Sequence, residues 1–436
     1  MMSNRFFESS LSGKLPFQFY GFVIFFSFFS SMRLVLKLPI PYAIYIEVGI
    51  LLISCLFIAY NYFSLSIPGN RKSSLTLYEI YILSIIILIP IYSAWRAYDT
   101  FDQPLIYGLL TQRSFLLAGY ALIIFVGIKH GFLKVALLEN TLVKSAWVWI
   151  LLCVFLQLFI NPNSLSHLQP SFVGGSDSHH KGFYFKYDSV LFVFGFIYYL
   201  FKGFIKNNKY YVALSLPFLF FIIFVLEKRS LILSLVIATT FLSCLLFDRR
   251  YLFKLFTKSL LLVLISGALM FALFPEGSEN YISKFVDAFS VVITGEPGSN
   301  PSANARISEL KLIWPYLESG WLTGNGGLSN HWDGGYRGTL GYFYPSDIGF
   351  FGSVFVFGFI VTLLIYLQYV FVYFGRANLQ PDRNNLLYIS CYGVLTVFFI
   401  QSFIRSQFLF DVSTTLFFVS VIYGLREYSE HSQTRD

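Results

Sequence analysis

The residues of this chain with the greatest chemical capacity are a few arginines, lysines and carboxylates set beside long apolar runs. Lys228 and Arg229 form a basic pair in the turn Glu227-Lys228-Arg229-Ser230, between two such runs. A guanidinium is planar and permanently charged, so Arg229 could grip a phosphate or diphosphate through paired N–H groups. The plainer reading is a turn whose cations meet lipid headgroups or pair with Glu227. A second basic group, Arg306-Ile307-Ser308-Glu309-Leu310-Lys311, lies in a segment from Ala303 to Leu317 that reads as a short amphipathic helix. An arginine in a first helical turn opposes the helix dipole, so Arg306 is expected to face an anion, with Lys311 about a turn later as a further diphosphate contact. The alternative is a solvated face carrying an Arg306–Glu309 pair.

Asp347 lies in Tyr344-Pro345-Ser346-Asp347-Ile348-Gly349, at the threshold of an apolar run. A carboxylate there can accept a proton as a general base, or cap the helix that follows. His331 is a second candidate base, or a surface histidine. Arg405 interrupts the last pair of apolar runs together with Gln407 and Asp411, and with Trp321 and Tyr344 it is a candidate for lining a cavity. The run Gly320-Trp321-Leu322-Thr323-Gly324-Asn325-Gly326-Gly327 has no following Gly-Lys-Ser/Thr and so is no nucleotide-phosphate loop. It can form a backbone nest for an anion, or only a turn. Asp177-Ser178-His179-His180-Lys181 lacks further ligands at metal spacing and reads as a solvated loop, with Lys181 and Lys186 adding positive charge nearby. Glu47, alone in an apolar run, fits a proton relay or an interhelical hydrogen bond. No metal or cofactor is called for.

The elements that must hold these residues follow from composition. Of 436 residues, 56% are hydrophobic and only 12% charged. Soluble domains carry about 25% charged residues. Such a chain lacks the polar cover for a water-soluble surface, and is expected to be an all-α integral membrane protein. Cys55, Cys153, Cys244 and Cys391 all lie inside apolar runs without a partner at ligand spacing, which argues against a disulfide framework or a zinc site. The formal charge of +8 follows the positive-inside pattern and gives no reason to expect nucleic acid.

Twelve apolar stretches lie near 17–36, 40–60, 75–94, 107–128, 141–160, 188–205, 210–227, 231–247, 255–274, 346–373, 386–403 and 409–425. The first is Phe-rich with no small-x-small site after it, so it is read as a span rather than a cleaved leader. Lys202, Lys206, Lys209, Arg249, Arg250, Lys254 and Lys258 fall on one side of this layout. That places both termini in the cytoplasm, with the chain as one polytopic membrane domain. Two outer loops remain, 161–187 and 275–345. The second is too long for a plain connection, and its Trp314, Trp321, Trp332, Tyr316, Tyr336, Tyr342, Phe343 and Tyr344 argue against disorder and can cap a cavity or stack on sugar rings.

This layout resembles the superfamily of O-antigen polymerases and O-antigen ligases, above all over residues 210–373. The similarity rests on Lys228-Arg229-Ser230 before a span, on Arg306 and Leu310 as an Arg-x-x-x-Leu pattern, on Gly324-Asn325-Gly326 as Gly-x-Gly, and on Ser346-Asp347-Ile348 followed by Gly358. Ligases have a His-Asn pair where Ser-Asp stands, which favours the polymerase branch. Val361 replaces the small residue that closes the pattern, and Gly320 lies farther from Arg306 than in some polymerases. The resemblance implies a membrane glycosyltransferase acting on undecaprenyl-diphosphate-linked glycans as donor and acceptor. It implies no cofactor, with a chain-length regulator and a flippase as partners in the lipid bilayer. The product would be O-antigen, capsule or exopolysaccharide. Under the same resemblance Arg229 and Arg306 screen the diphosphate, and Asp347 or His331 takes the hydroxyl proton. Ligation of a finished glycan and transport of a lipid-linked glycan are the rival activities.

Overall fold

A computed structural model describes residues 75–131, 133–165, 173–174, 184–226, 228–248, 301–374, 385–405 and 412–433, with isolated positions between 45 and 56. The stretches read at 17–36 and 255–274, nearly all of 40–60, and Glu47, Glu227, Asp177–Lys181, Gln407 and Asp411 lie outside the described residues.

The described chain is mostly helical. Its longer helices are α1 (Leu77–Phe101), α2 (Leu105–Lys129), α3 (Val135–Phe159), α4 (Val190–Ile205), α5 (Lys209–Val225), α6 (Arg229–Leu246), α7 (Pro301–Gly320), α8 (Gly349–Tyr373), α9 (Leu386–Ile404) and α10 (Val412–Gln433). Six of them are long and apolar enough to cross a membrane: α1, α2, α3, α6, α8 with its lead-in turn Pro345–Ile348, and α9. At 1.5 Å per residue a 25-residue helix such as α1 or α3 spans about 37 Å, more than the roughly 30 Å of a hydrocarbon core. The helices α4 and α5 are apolar but shorter. The expectation of an all-α chain needs one addition. In the shorter loop, β1 (Val173–Gly174) and β2 (Tyr184–Phe185) pair antiparallel, with Val173 opposite Phe185.

Burial follows the all-round apolar sequences. The helix α4 reads VLFVFGFIYYLFKGFI and is buried over most of its length among α3, α5 and α9, while α10 packs on α2 and α9. The outward faces carry exposed apolar side chains, including Ile87, Leu88 and Ile91 on α1, Leu151, Phe155 and Leu158 on α3, and Ile360, Leu363 and Leu367 on α8. Patches of this kind would be a liability in water, and are what a lipid-facing surface requires.

Contacts at the two ends fix the helix directions. At one end, Thr76 and Glu79 form a capping box that starts α1, and Lys129 at the end of α2 reaches Glu79 at 3.6 Å. Near the same end, Arg426 of α10 donates to the carbonyls of Phe371 and Val372, the otherwise orphaned acceptors at the C-terminus of α8. The opposite end holds Phe101, Arg229, Asp347 and Arg405, together with α7 and the glycine-rich segment after it.

That segment enters the bundle. The helix α8 breaks at Gly358, whose backbone (φ 77°, ψ 164°) is open to glycine alone. Residues 321–327 fill the break. Phe359 donates its amide to the Trp321 carbonyl at 2.8 Å, and the amides of Asn325 and Gly326 reach the carbonyls of Phe355 and Val356 at 2.7 and 2.9 Å. From the other side, Arg96 Nε donates to the Gly324 carbonyl, Tyr92 Oη to that of Thr323, and Gln103 Nε2 to that of Gly327. Gly358 stands nine residues below the first residue of α8, so the insert reaches roughly 13 Å into the bundle. Irregular backbone at such depth is tolerated where protein satisfies its polar groups, as here.

Candidate functional site

The anion-nest reading of the glycine-rich run is overturned by this insertion. A nest needs free amides, and these are spent: Gly324 on the Gly320 carbonyl, Asn325 and Gly326 on α8, and Gly327 on Ser93 Oγ at 3.0 Å. The run is a structural wedge that anchors the chain between α7 and α8.

The charged site is built beside the wedge from four elements. The helix α6 begins at Arg229, with Lys228 at its N-cap. The helix α7 carries Arg306 and Glu309, the lead-in turn Pro345–Ile348 carries Asp347, and Arg405 closes α9. Packing brings them together. The buried positions Glu309, Ile313 and Leu317 recur every four residues along α7 and face α8 and its lead-in turn. Tyr316 on the adjoining position packs on Phe101 and Phe355, at ring distances of 5.9 and 6.0 Å. At the start of α8, Gly349 (φ 59°) lets the backbone close on α9, since a Cβ there would lie 2.1 Å from the Phe403 carbonyl oxygen. That approach sets Asp347 against Arg405.

Both Arg405 donors converge on Asp347 Oδ1, Nη2 at 3.2 Å and Nε at 3.4 Å. The cap reading of Asp347 therefore gives way: the carboxylate holds an arginine, and neither the turn nor α8 has a side-chain bond at its N-cap. Arg306 lies within electrostatic reach of all the other members. Burial first, then the cations Arg405 and Arg229, push its guanidinium down from the ordinary range, against Asp347 and Glu309. Glu309 is 2% exposed, and its Oε2 has no hydrogen-bond partner. Burial, and next the charge of Asp347, raise its carboxyl to about 7, opposed by the Tyr344 backbone amide and Arg306.

The picture of α7 as a solvated face with a surface ion pair is thus corrected, because the pairing partner is buried. Three guanidiniums face two carboxyls, one of them titrating near neutrality. Counted among the described residues, guanidiniums thus outnumber carboxyls in a partly dry site, a setting that favours an anion.

Not every sequence candidate joins the cluster. Lys311 is exposed and sits roughly 140° around α7 from Arg306, and it is not among the charges acting on that arginine. His331 is exposed on the stretch after the wedge, its amide bonded to Ser329 Oγ. Trp321 packs on Phe359 beside the break in α8. Tyr344 does join: its amide faces Glu309 and its half-exposed ring packs on Tyr342. Lys228 is half-buried at the N-cap of α6.

Glu309 is the member whose weight sequence reasoning missed. The signal was its spacing with Ile313 and Leu317, which puts a carboxylate on the apolar stripe of α7. Among the described residues no group of three or more His, Cys, Asp or Glu is arranged to hold a metal ion. Comparisons with family models, curated proteins and solved structures return no match for the chain.

Proposed function

We propose that this protein is a glycosyltransferase that polymerises undecaprenyl-diphosphate-linked repeat units at the outer face of the bacterial cytoplasmic membrane. In this reading twelve spans carry the chain, both termini are cytoplasmic, and the charged end of the bundle faces outward. The observation that carries the reading is the convergence of Arg229, Arg306 and Arg405 around Asp347 and Glu309 at one end of a lipid-facing helix bundle. A diphosphate leaves readily once its charge is screened, and preorganised guanidiniums supply that screening. The donor glycan would pass from its diphosphate to a hydroxyl of the acceptor unit, with both polyprenyl tails remaining in lipid. A chain-length regulator and a flippase are the partners such an enzyme needs.

One observation favours transport instead: α8 is broken, and discontinuous helices form the substrate sites of many transporters. In those proteins the freed backbone groups coordinate the cargo. Here the wedge takes them, which supports the enzyme reading. The test is accumulation in cells lacking the protein. Single-repeat glycans on the final acceptor support a polymerase. Long chains left on undecaprenyl diphosphate indicate a ligase, and units trapped on the inner leaflet indicate a flippase; either result overturns the proposal.

A further inference from the structure

Two carboxyls stand at the arginine cluster, and they differ in what they are free to do. Asp347 receives both donors of Arg405 on one oxygen, so an arginine already engages it. Glu309 is buried on the apolar stripe of α7, and its Oε2 has no hydrogen-bond partner. A buried carboxylate oxygen left without a partner is unfavourable and calls for an explanation, and a catalytic role is one that fits its place beside the arginines. The exposed tyrosines Tyr342 and Tyr344 lie beside both carboxyls, Tyr344 presenting its amide to Glu309. Such rings are the surface on which a sugar stacks.

We infer that Glu309 is the catalytic base, receiving the proton of the acceptor hydroxyl in the transfer proposed above, an inference that rests on that reading. The hydroxyl oxygen attacks the anomeric carbon of the donor while its proton passes to Glu309 Oε2. The bond between that carbon and the diphosphate oxygen breaks, and its electron pair leaves with undecaprenyl diphosphate, held by Arg306 and Arg229. The proton returns to water after the product departs. Access requires the exposed rings of Tyr342 and Tyr344, on the strip 342–344, to swing aside as the acceptor enters, while Phe343 between them stays packed on Tyr336 and Phe355.

The chemistry suits the position. A base works best when its pKa lies near the working pH, and that of Glu309 is held at about 7. The ionisable groups around it are Arg306 on its own helix, Asp347 on the lead-in turn and Tyr342 on the strip, with Arg229 and Arg405 acting through Arg306. His331 is not among them.

The test uses purified full-length protein, the lipid-linked single repeat unit as substrate, and variants Glu309→Gln, Glu309→Asp and Asp347→Asn. Glu309→Gln should lose about 10²–10⁴-fold in rate with substrate affinity retained. Glu309→Asp should keep partial activity on a displaced acidic limb, which a purely structural role would not produce. Wild-type activity should rise with pH through about 7. A separate infrared measurement needs no turnover: at about pH 6, where ordinary carboxyls are ionised, a protonated-carboxyl band should be present, vanish above neutrality, and be missing in Glu309→Gln. A Gln variant with wild-type rate and acidic limb overturns the role of Glu309 alone, as does an acidic limb removed by Asp347→Asn but not by Glu309→Gln. Wild-type protein with the expected infrared titration but no polymerisation overturns the polymerase reading, and this inference with it.

Discussion

Gly358→Ala tests the wedge that holds the site in place. The alanine Cβ would lie 2.3 Å from the Leu322 carbonyl oxygen, 2.5 Å from the Thr323 carbonyl carbon and 2.7 Å from the Gly324 nitrogen, all backbone atoms that cannot rotate aside. Staying in place would cost about 1–3 kcal/mol of backbone strain and about 1–3 kcal/mol of overpacking. The alternative is to expel the wedge, which forfeits the amide bonds of Asn325, Gly326, Gly327 and Phe359 and the side-chain bonds of Asn325, Tyr92, Arg96 and Gln103. At about 1 kcal/mol net for each, expulsion costs about 8 kcal/mol, more than staying in place, so the wedge should stay and the loss should be about 2–6 kcal/mol. The midpoint of thermal unfolding in detergent should fall by at least about 4 °C, at roughly 2–4 °C per kcal/mol. Gly341→Ala is the control. Its φ is also positive, at 96°, but nothing lies within 4 Å of the new Cβ, so it should lose much less. An unshifted midpoint in Gly358→Ala, or equal losses in the two variants, would refute the packing argument.

Other outcomes follow from the charges and the topology. Arg306→Lys keeps the charge but loses the planar fork, and should cost about 30-fold to 1000-fold in polymer formation, or about 2–4 kcal/mol of transition-state stabilisation, checked by initial rate at matched protein level. Lys311→Ala should leave that rate unchanged, because Lys311 sits on the exposed face of α7. For Glu309 the folded state favours the proton, so between the ordinary value of 4.5 and about 7 the native protein binds more protons than the unfolded chain. Stability should therefore fall as pH rises through that window and level off above it, a slope that Glu309→Gln removes when melting is followed across pH. Cysteines at Asn207 and Ser308 should label with an impermeant reagent from opposite sides of the membrane, Ser308 from outside. Labelling of both from one side contradicts the topology.

Much of the helix plan is legible in the sequence because lipid imposes length and polarity so strictly. The apolar stretches read at 75–94, 107–128, 231–247 and 386–403 return as α1, α2, α6 and α9, with ends displaced by a few residues. The breaks inside helices are not legible. A glycine such as Gly358 inside an apolar run looks like any other small residue, and only its contact with a segment more than thirty positions earlier shows why the backbone turns there. Arg229, Arg306, Asp347 and Arg405 could be singled out as costly charges near lipid, but their mutual contact depends on how α6, α7 and α9 pack. Glu309 illustrates the limit most sharply. In sequence it is the obvious partner for an arginine three residues away. Its burial, and hence its altered affinity for protons, is set by α8 and the 342–344 strip, which are distant along the chain.

In the proposed function, the arginine cluster at the outer end of the helix bundle drives transfer of a glycan from a polyprenyl diphosphate. Purified protein reconstituted into liposomes with its lipid-linked single repeat unit is the decisive preparation. A ladder of lengthening glycans should form, with one undecaprenyl diphosphate released for each linkage made, and both signals should be lost in Arg306→Ala protein that inserts normally. A ladder of undiminished rate from Arg306→Ala, or no ladder from well-folded wild-type protein supplied with its authentic repeat unit, would contradict the proposed function.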